Sequence, residues 1–148
     1  MKPIAITFCF LISSYTVFSH PAKEDFDYSI VFGGCFEKDI VSLKINNTSI
    51  FNNYKVENKN TLKKGNLSLT QANKKIHLFY NGQEKYKVRV NFNFYLDMDV
   101  TVNKKLNKFK VDLRKGKVIL VEFCPANNAS ENSKKLTIEQ MQEQVIFM

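Results

Sequence analysis

The 148-residue chain carries 22 Lys and Arg against 14 Asp and Glu, a formal net charge of +8, with two His and no Trp. Its 44% hydrophobic and 24% charged residues supply a core and a soluble surface, which excludes a disordered chain. The basic excess is 20 Lys and only two Arg, so the bidentate and stacking contacts that nucleic-acid sites take from Arg are scarce, and no nucleic-acid partner is expected.

Met1-Lys2 followed by the uncharged, mostly apolar run Ile4–Phe18 and by Val17-Phe18-Ser19 has the pattern of a secretory signal peptide cut after about Ser19. A secreted or periplasmic location is expected, with residues 1–19 removed. The 129 residues left would carry 21 basic and 14 acidic side chains and only two cysteines, Cys35 and Cys124. An even pair in an exported chain reads as a disulfide.

Residues 20–27 are expected as a flexible lead, and residues 28–124 as one domain. "YSIVFGGCF" sets Tyr28, Ile30 and Phe32 on one face and breaks at Gly33-Gly34, a kink that would let Cys35 reach its partner. "DIVSLKI" and "TSIFNNYKV" alternate Val41, Leu43, Ile45 and Ile50, Tyr54, Val56, with Asn46-Asn47 suited to a tight hairpin. Residues 57–65 read as a polar loop. "NLSLTQA" and "KIHLFY" add two short strands.

Asn81-Gly82 ordinarily marks a two-residue hairpin, but that count would place Ile76 and Leu78 beside Lys85 and Lys87. The apolar face therefore predicts a three-residue loop, Tyr80 to Gly82, with Ile76 opposite Tyr86. The run "YKVRVNFNFYLDMDVTV" then places nine apolar residues on alternate positions from Tyr86 to Val102, all expected inward, Phe92 and Phe94 included. Seventeen residues would span about 55 Å, too long for one straight strand in a small domain. Either the run bends from one sheet into another, with Asp97 and Asp99 the expected bend, or an odd loop divides it.

In "FKVDLRKGKVILVEF" a loop Arg114-Lys115-Gly116, with Gly116 left-handed, would pair Val111 with Ile119 and Phe109 with Val121. Residues 125–148 read as a polar linker and a short helix, because Thr137 and Gln140 have capping-box spacing and Ile138, Met141, Val145 and Met148 share a helical stripe. About seven to nine strands with one late helix indicate an all-β fold, an antiparallel β-sandwich.

The run from Asp39 to Val56 resembles small secreted proteins of the Bacteroidota, which carry a "VSLKINxxxIFxNxxV" hairpin. Val41, Leu43, Ile45, Ile50, Phe51, Asn53 and Val56 carry the resemblance. It implies an immunoglobulin- or transthyretin-like sandwich and no particular site.

Catalytic motifs are missing from the sequence. His77 alternates with Ile76 and Leu78 and so faces outward, while His20 would sit at the new N-terminus. No enzyme activity and no cofactor are expected. The metal candidates are weak: His20 as an N-terminal chelate, and Asp97 with Asp99 on one strand face. Four Asn-x-Ser/Thr sequons begin at Asn46, Asn47, Asn66 and Asn128. The expected role is a non-enzymatic binding module. Lys85, Lys87 and Arg89 would form a basic stripe with Tyr95 as its aromatic, facing an anionic glycan, a lipid surface or a protein partner. The alternative is an enzyme or enzyme inhibitor with a site built from the loops at 57–65 and 125–135.

Overall fold

The computed structural model describes residues 26–58, 66–90, 94–125 and 133–142. The signal segment, His20, Phe92, Asn128 and most of the two polar loops lie outside them. Among the described residues ten strands follow in chain order: β1 (Phe26–Phe32), β2 (Phe36–Ile45), β3 (Thr48–Asn58), β4 (Leu67–Ala72), β5 (Lys75–Tyr80), β6 (Gln83–Arg89), β7 (Tyr95–Val102), β8 (Lys105–Asp112), β9 (Val118–Pro125) and β10 (Lys134–Met141). They form a six-stranded sheet, β10-β9-β1-β4-β5-β6, and a four-stranded sheet, β3-β2-β7-β8. The strand pairs are antiparallel except β1 with β9, which run parallel.

Alternation builds this arrangement. One face of each sheet is apolar, and the two faces share a single core that includes Ile30, Leu69 and Val121 from one sheet and Leu43, Met98 and Val111 from the other. A chain of ring contacts, Tyr80–Tyr54–Phe51–Phe32–Phe36–Phe123, runs through this layer with centroids 5.1 to 6.0 Å apart. Most of these pairs meet edge to face, the geometry favoured by the ring quadrupole.

Four hairpins turn in two residues, and all four use Asn first: Asn46-Asn47, Asn73-Lys74, Asn81-Gly82 and Asn103-Lys104. Both central residues have positive φ in every case, the backbone that matches the twist of the flanking strands. The expected Asn46-Asn47 turn is therefore present. At Asn81-Gly82 the loop also has two residues, Tyr80 facing Gln83, and not three. The apolar faces still align because the odd residue sits in a bulge at Lys85, so that Leu78 meets Tyr86 and Ile76 meets Val88. Tyr86 Oη donates to Ile50 O and ties the two sheets together. Burial first, and then the neighbouring Tyr54, push the Tyr86 phenol up to about 12.

The long alternating run passes from one sheet to the other. Its first part is β6, and its second is β7. β6 ends at Arg89 and β7 begins at Tyr95, so Asp97 and Asp99, the expected bend, lie within a strand. Leu96, Met98, Val100 and Val102 are buried as expected, but Phe94 is 65% exposed. Phe94 sits at the crossing, where its main-chain oxygen accepts from Leu113 N at 2.8 Å, and the strand parity no longer holds there.

The expected hairpin between residues 109 and 123 does not form. β8 pairs with β7, and β9 pairs with β1 and β10 in the opposite sheet. Val111 and Ile119 both point inward, as the alternation requires, but across the core and not side by side. Gly116 is not left-handed; among the described glycines only Gly82 has positive φ. A Cβ on Gly116 would lie 2.7 Å from Met141 O, so glycine is needed there for the close passage of β10.

The C-terminal helix is also overturned. Residues 134–141 form β10, paired with β9 from Lys134–Pro125 to Met141–Val118. Leu136 is buried and Ile138 packs on the core, a period of two that fits the open edge of β9. Gln140 Nε2 donates to Asp112 O and Gly116 O, at 2.9 and 3.1 Å, and fastens the new edge to the loop after β8. The expected domain limits shift accordingly: β1 begins inside the expected lead, and β10 belongs to the sheet.

Candidate functional site

Cys35 and Cys124 are disulfide-bonded, with Cα atoms 5.0 Å apart. Cys35 lies in the Gly33-Gly34-Cys35 link that carries the chain from β1 across to β2, and Cys124 lies near the end of β9. The bond therefore fixes the crossing point of the two sheets. Lys134 Nζ donates to Cys35 O at 3.0 Å, pairs with Glu37 at 3.4 Å and lies over the Phe123 ring.

The expected basic stripe is divided by the fold. Lys85, Lys87 and Arg89 are exposed on β6, an edge strand of the six-stranded sheet. Lys85 bonds Gln83, and Lys87 shares Glu84 with His77, whose Nδ1 lies 2.9 Å from the carboxylate. Tyr95 lies on β7, on the outer face of the other sheet, so it does not complete that stripe.

Tyr95 has its own surroundings. The Arg114 guanidinium lies 5.1 Å from the ring centroid and donates to Tyr95 Oη, and Lys110 Nζ lies 5.6 Å away. Arg114 also forks onto Asp112, with Nε at 2.9 Å and Nη2 at 2.8 Å. That hydrogen bonding holds the Asp112 carboxyl down to about 2 and raises the Arg114 guanidinium above its ordinary value. Cations of its own sheet thus flank the ring that was expected to serve the stripe on β6.

Asp97 and Asp99 stand opposite Lys110 and Lys108 of β8, and Lys44 of β2 also faces Asp99. Asp99 Oδ1 lies 4.0 Å from Lys108 Nζ. Cross-strand lysines thus face both carboxylates, and Lys108 is the one within ion-pair distance among the described contacts. Among the described residues no group of three or more His, Cys, Asp or Glu side chains could hold a metal. Two sequons are occupied structurally, since Asn46 Oδ1 accepts from Asp97 N and Asn66 bonds Glu57 N and Lys55 O, whereas Asn47 is exposed at its turn.

The structure brings a different basic region together. Residues 104–117, which are β8 and its two turns, contain Lys104, Lys105, Lys108, Lys110, Arg114, Lys115 and Lys117 against one acid, Asp112. This density was legible in the sequence, but nothing there showed that β8 would be an edge strand. β8 and β10 are the edges of their sheets on one side of the molecule, and a groove of about 550 Å³ opens between them. Lys105, Lys108, Lys134 and Lys135 line it. Asn107 and Ser133 add polar groups, while Phe109 and Leu136 give it apolar lining. Lys105 and Asn107 occupy the same strand parity as Phe109 and buried Val111, so the inner face of β8 changes from apolar to polar along its length.

No helix among the described residues is long and apolar enough to cross a membrane. In comparisons with known proteins, no family model, no curated protein and no solved structure matches the chain.

Proposed function

We propose that the protein is an exported, non-enzymatic module that binds an anionic polymer or surface at the cell envelope. The observation that supports this most directly is the concentration of seven cations and one acid in residues 104–117. Most of them stand exposed on an edge strand and its turns, where charges act on a large partner collectively. The Cys35–Cys124 disulfide suits an oxidising compartment, and the expected signal segment points the same way. The two-sheet arrangement and the Asp39–Val56 hairpin support the immunoglobulin- or transthyretin-like reading. The parallel β1–β9 pair and the disulfide at a sheet crossing would make it a variant of that plan.

The test is retention of the folded protein on immobilised dextran sulfate across a salt gradient. Attraction between exposed charges fades as the Debye length falls from about 10 Å at 0.1 M salt to about 3 Å at 1 M. Retention at low salt, lost at high salt, and weakened more by Lys108→Gln with Lys110→Gln than by Lys85→Gln with Lys87→Gln, is expected. Absence of retention at low salt, or equal weakening by the two pairs, would overturn the assignment to β8.

A further inference from the structure

We infer that the groove between β8 and β10 is the specific subsite of this protein, and that it grips one or two acidic sugar rings of a polyanionic glycan. The inference rests on the anion-binding reading above and narrows it to one place and one ligand chemistry. Three observations converge. The groove, about 550 Å³, falls within the range of roughly 300–1,000 Å³ typical of small-ligand sites. Its charge has one sign, with four lysines and no carboxylate among its lining residues. Its lining is not wholly charged, because Phe109 and Leu136 contribute apolar surface and Asn107 and Ser133 contribute hydrogen-bonding groups.

That combination distinguishes a sugar acid from a simple anion. A polyphosphate chain would use the lysines alone and leave the apolar surface wet. A pyranose ring presents C–H groups that cover such a surface, hydroxyls that bond amide and hydroxyl side chains, and a carboxylate that attracts ammonium groups. Lys134 is held in place by Cys35 O and paired with Glu37, with its side chain only 15% exposed, so it shapes the end of the groove and leaves Lys105 and Lys135 as exposed cations for a ligand carboxylate.

The experiment uses the full disulfide-bonded protein and three probes at matched charge: a tetragalacturonate, a short polyphosphate and a polyglutamate peptide. Backbone NMR shifts map the contact, and calorimetry gives the affinity. Tetragalacturonate is expected to shift residues 105–109 and 133–136 and to bind more tightly than polyphosphate. Lys105→Gln with Lys135→Gln should weaken it about tenfold, as two exposed charge contacts do. Phe109→Leu, which keeps an apolar residue but removes the ring, should weaken tetragalacturonate and leave polyphosphate unchanged, and an unaltered melting temperature would show that the fold is kept. If polyphosphate binds as well as tetragalacturonate, or the shifts lie elsewhere on the basic surface, the subsite is overturned while the anion-binding reading stands. If the peptide binds best and uses the same residues, the ligand class is wrong. If none of the probes binds at low salt, both readings fall.

Discussion

Gln71 gives the sharpest test of the core. It lies in β4 between Tyr28 on β1 and Ile76 on β5, its residue is 1% exposed, and neither its amide oxygen nor its amide nitrogen has a hydrogen-bond partner among the described residues. In the unfolded chain both atoms are hydrated. Folding removes that water, and no side chain or main-chain group among the described residues replaces it, which costs about 1–3 kcal/mol per buried polar group. Gln71→Met keeps the length and unbranched shape of the side chain and removes both groups, so a gain of about 2 kcal/mol is expected, with overpacking the chief opposing effect. For a domain between the 100- and 150-residue classes this corresponds to a rise of roughly 6–10 °C in melting temperature. Thermal and urea unfolding would measure it, with an unchanged urea slope to show that the unfolded state is the same. Gln71→Ala leaves a cavity and should not share the gain. A neutral or destabilised Met variant with an unchanged slope would refute the reasoning, because it would mean that the amide contributes bonds to the fold.

Leu96→Ala should cost about 2–5 kcal/mol in urea unfolding, because Leu96 is fully buried, whereas Phe94→Ala should stay within about 0.5 kcal/mol; equal effects would mean that the crossing between β6 and β7 is misplaced. Replacing both Cys35 and Cys124 by Ala opens a loop with a sequence separation of 89 and should cost about 4–5 kcal/mol in the chain-entropy account, and a smaller loss would indicate a compact unfolded state. Lys104→Gly should raise stability by up to about 1 kcal/mol, since a side chain at φ 72 is strained and glycine is not, while Lys104→Val should lower it. Tyr86 keeps its proton to about 12 in the fold against about 10 in the unfolded chain, so its contribution is complete below pH 10 and is lost as pH rises toward 12. Tyr86→Phe should flatten that part of the alkaline stability profile, and an unchanged profile would assign the loss to other groups.

Side-chain parity was legible along most strands, though not at Phe94 or in the C-terminal segment, and partner choice was not. Alternation requires Val111 and Ile119 to face the core, but it requires the same whether they lie side by side in one sheet or opposite one another in two. The chain between them, residues 112–118, is long enough for either solution. What decides is the free edge of β7 for one strand and the gap between β1 and β10 for the other, and both are tertiary facts. The C-terminal segment satisfied two periods at once: Ile138 and Met141 suit a helix, and Leu136 and Ile138 suit a strand. Pairing with β9 settles it. The turns Asn73-Lys74 and Asn103-Lys104 escaped notice because Lys is a poor residue at positive φ, and only Asn announced them. At the surface, the cations of β6 and β8 looked alike in sequence. Both strands are sheet edges, and the groove beside β10 distinguishes β8, a feature that belongs to the assembled sheets.

The place of β1 has a consequence for how the molecule reaches its fold. β1 is the first strand in sequence, yet its neighbours are β4 and β9, some 40 and 90 residues later. The four Asn turns let β2–β3, β4–β5–β6 and β7–β8 assemble locally and fast, in any order. The six-stranded sheet cannot close until β9 arrives, so its central seam is a late event with a high entropic barrier, and folding on the slow side for a domain of this size follows. The thiols of Cys35 and Cys124 meet only when that seam closes. Oxidation therefore records completed folding and does not guide it, and a chain stalled before β9 docks would carry two free thiols and the open edge of β1 that β9 covers.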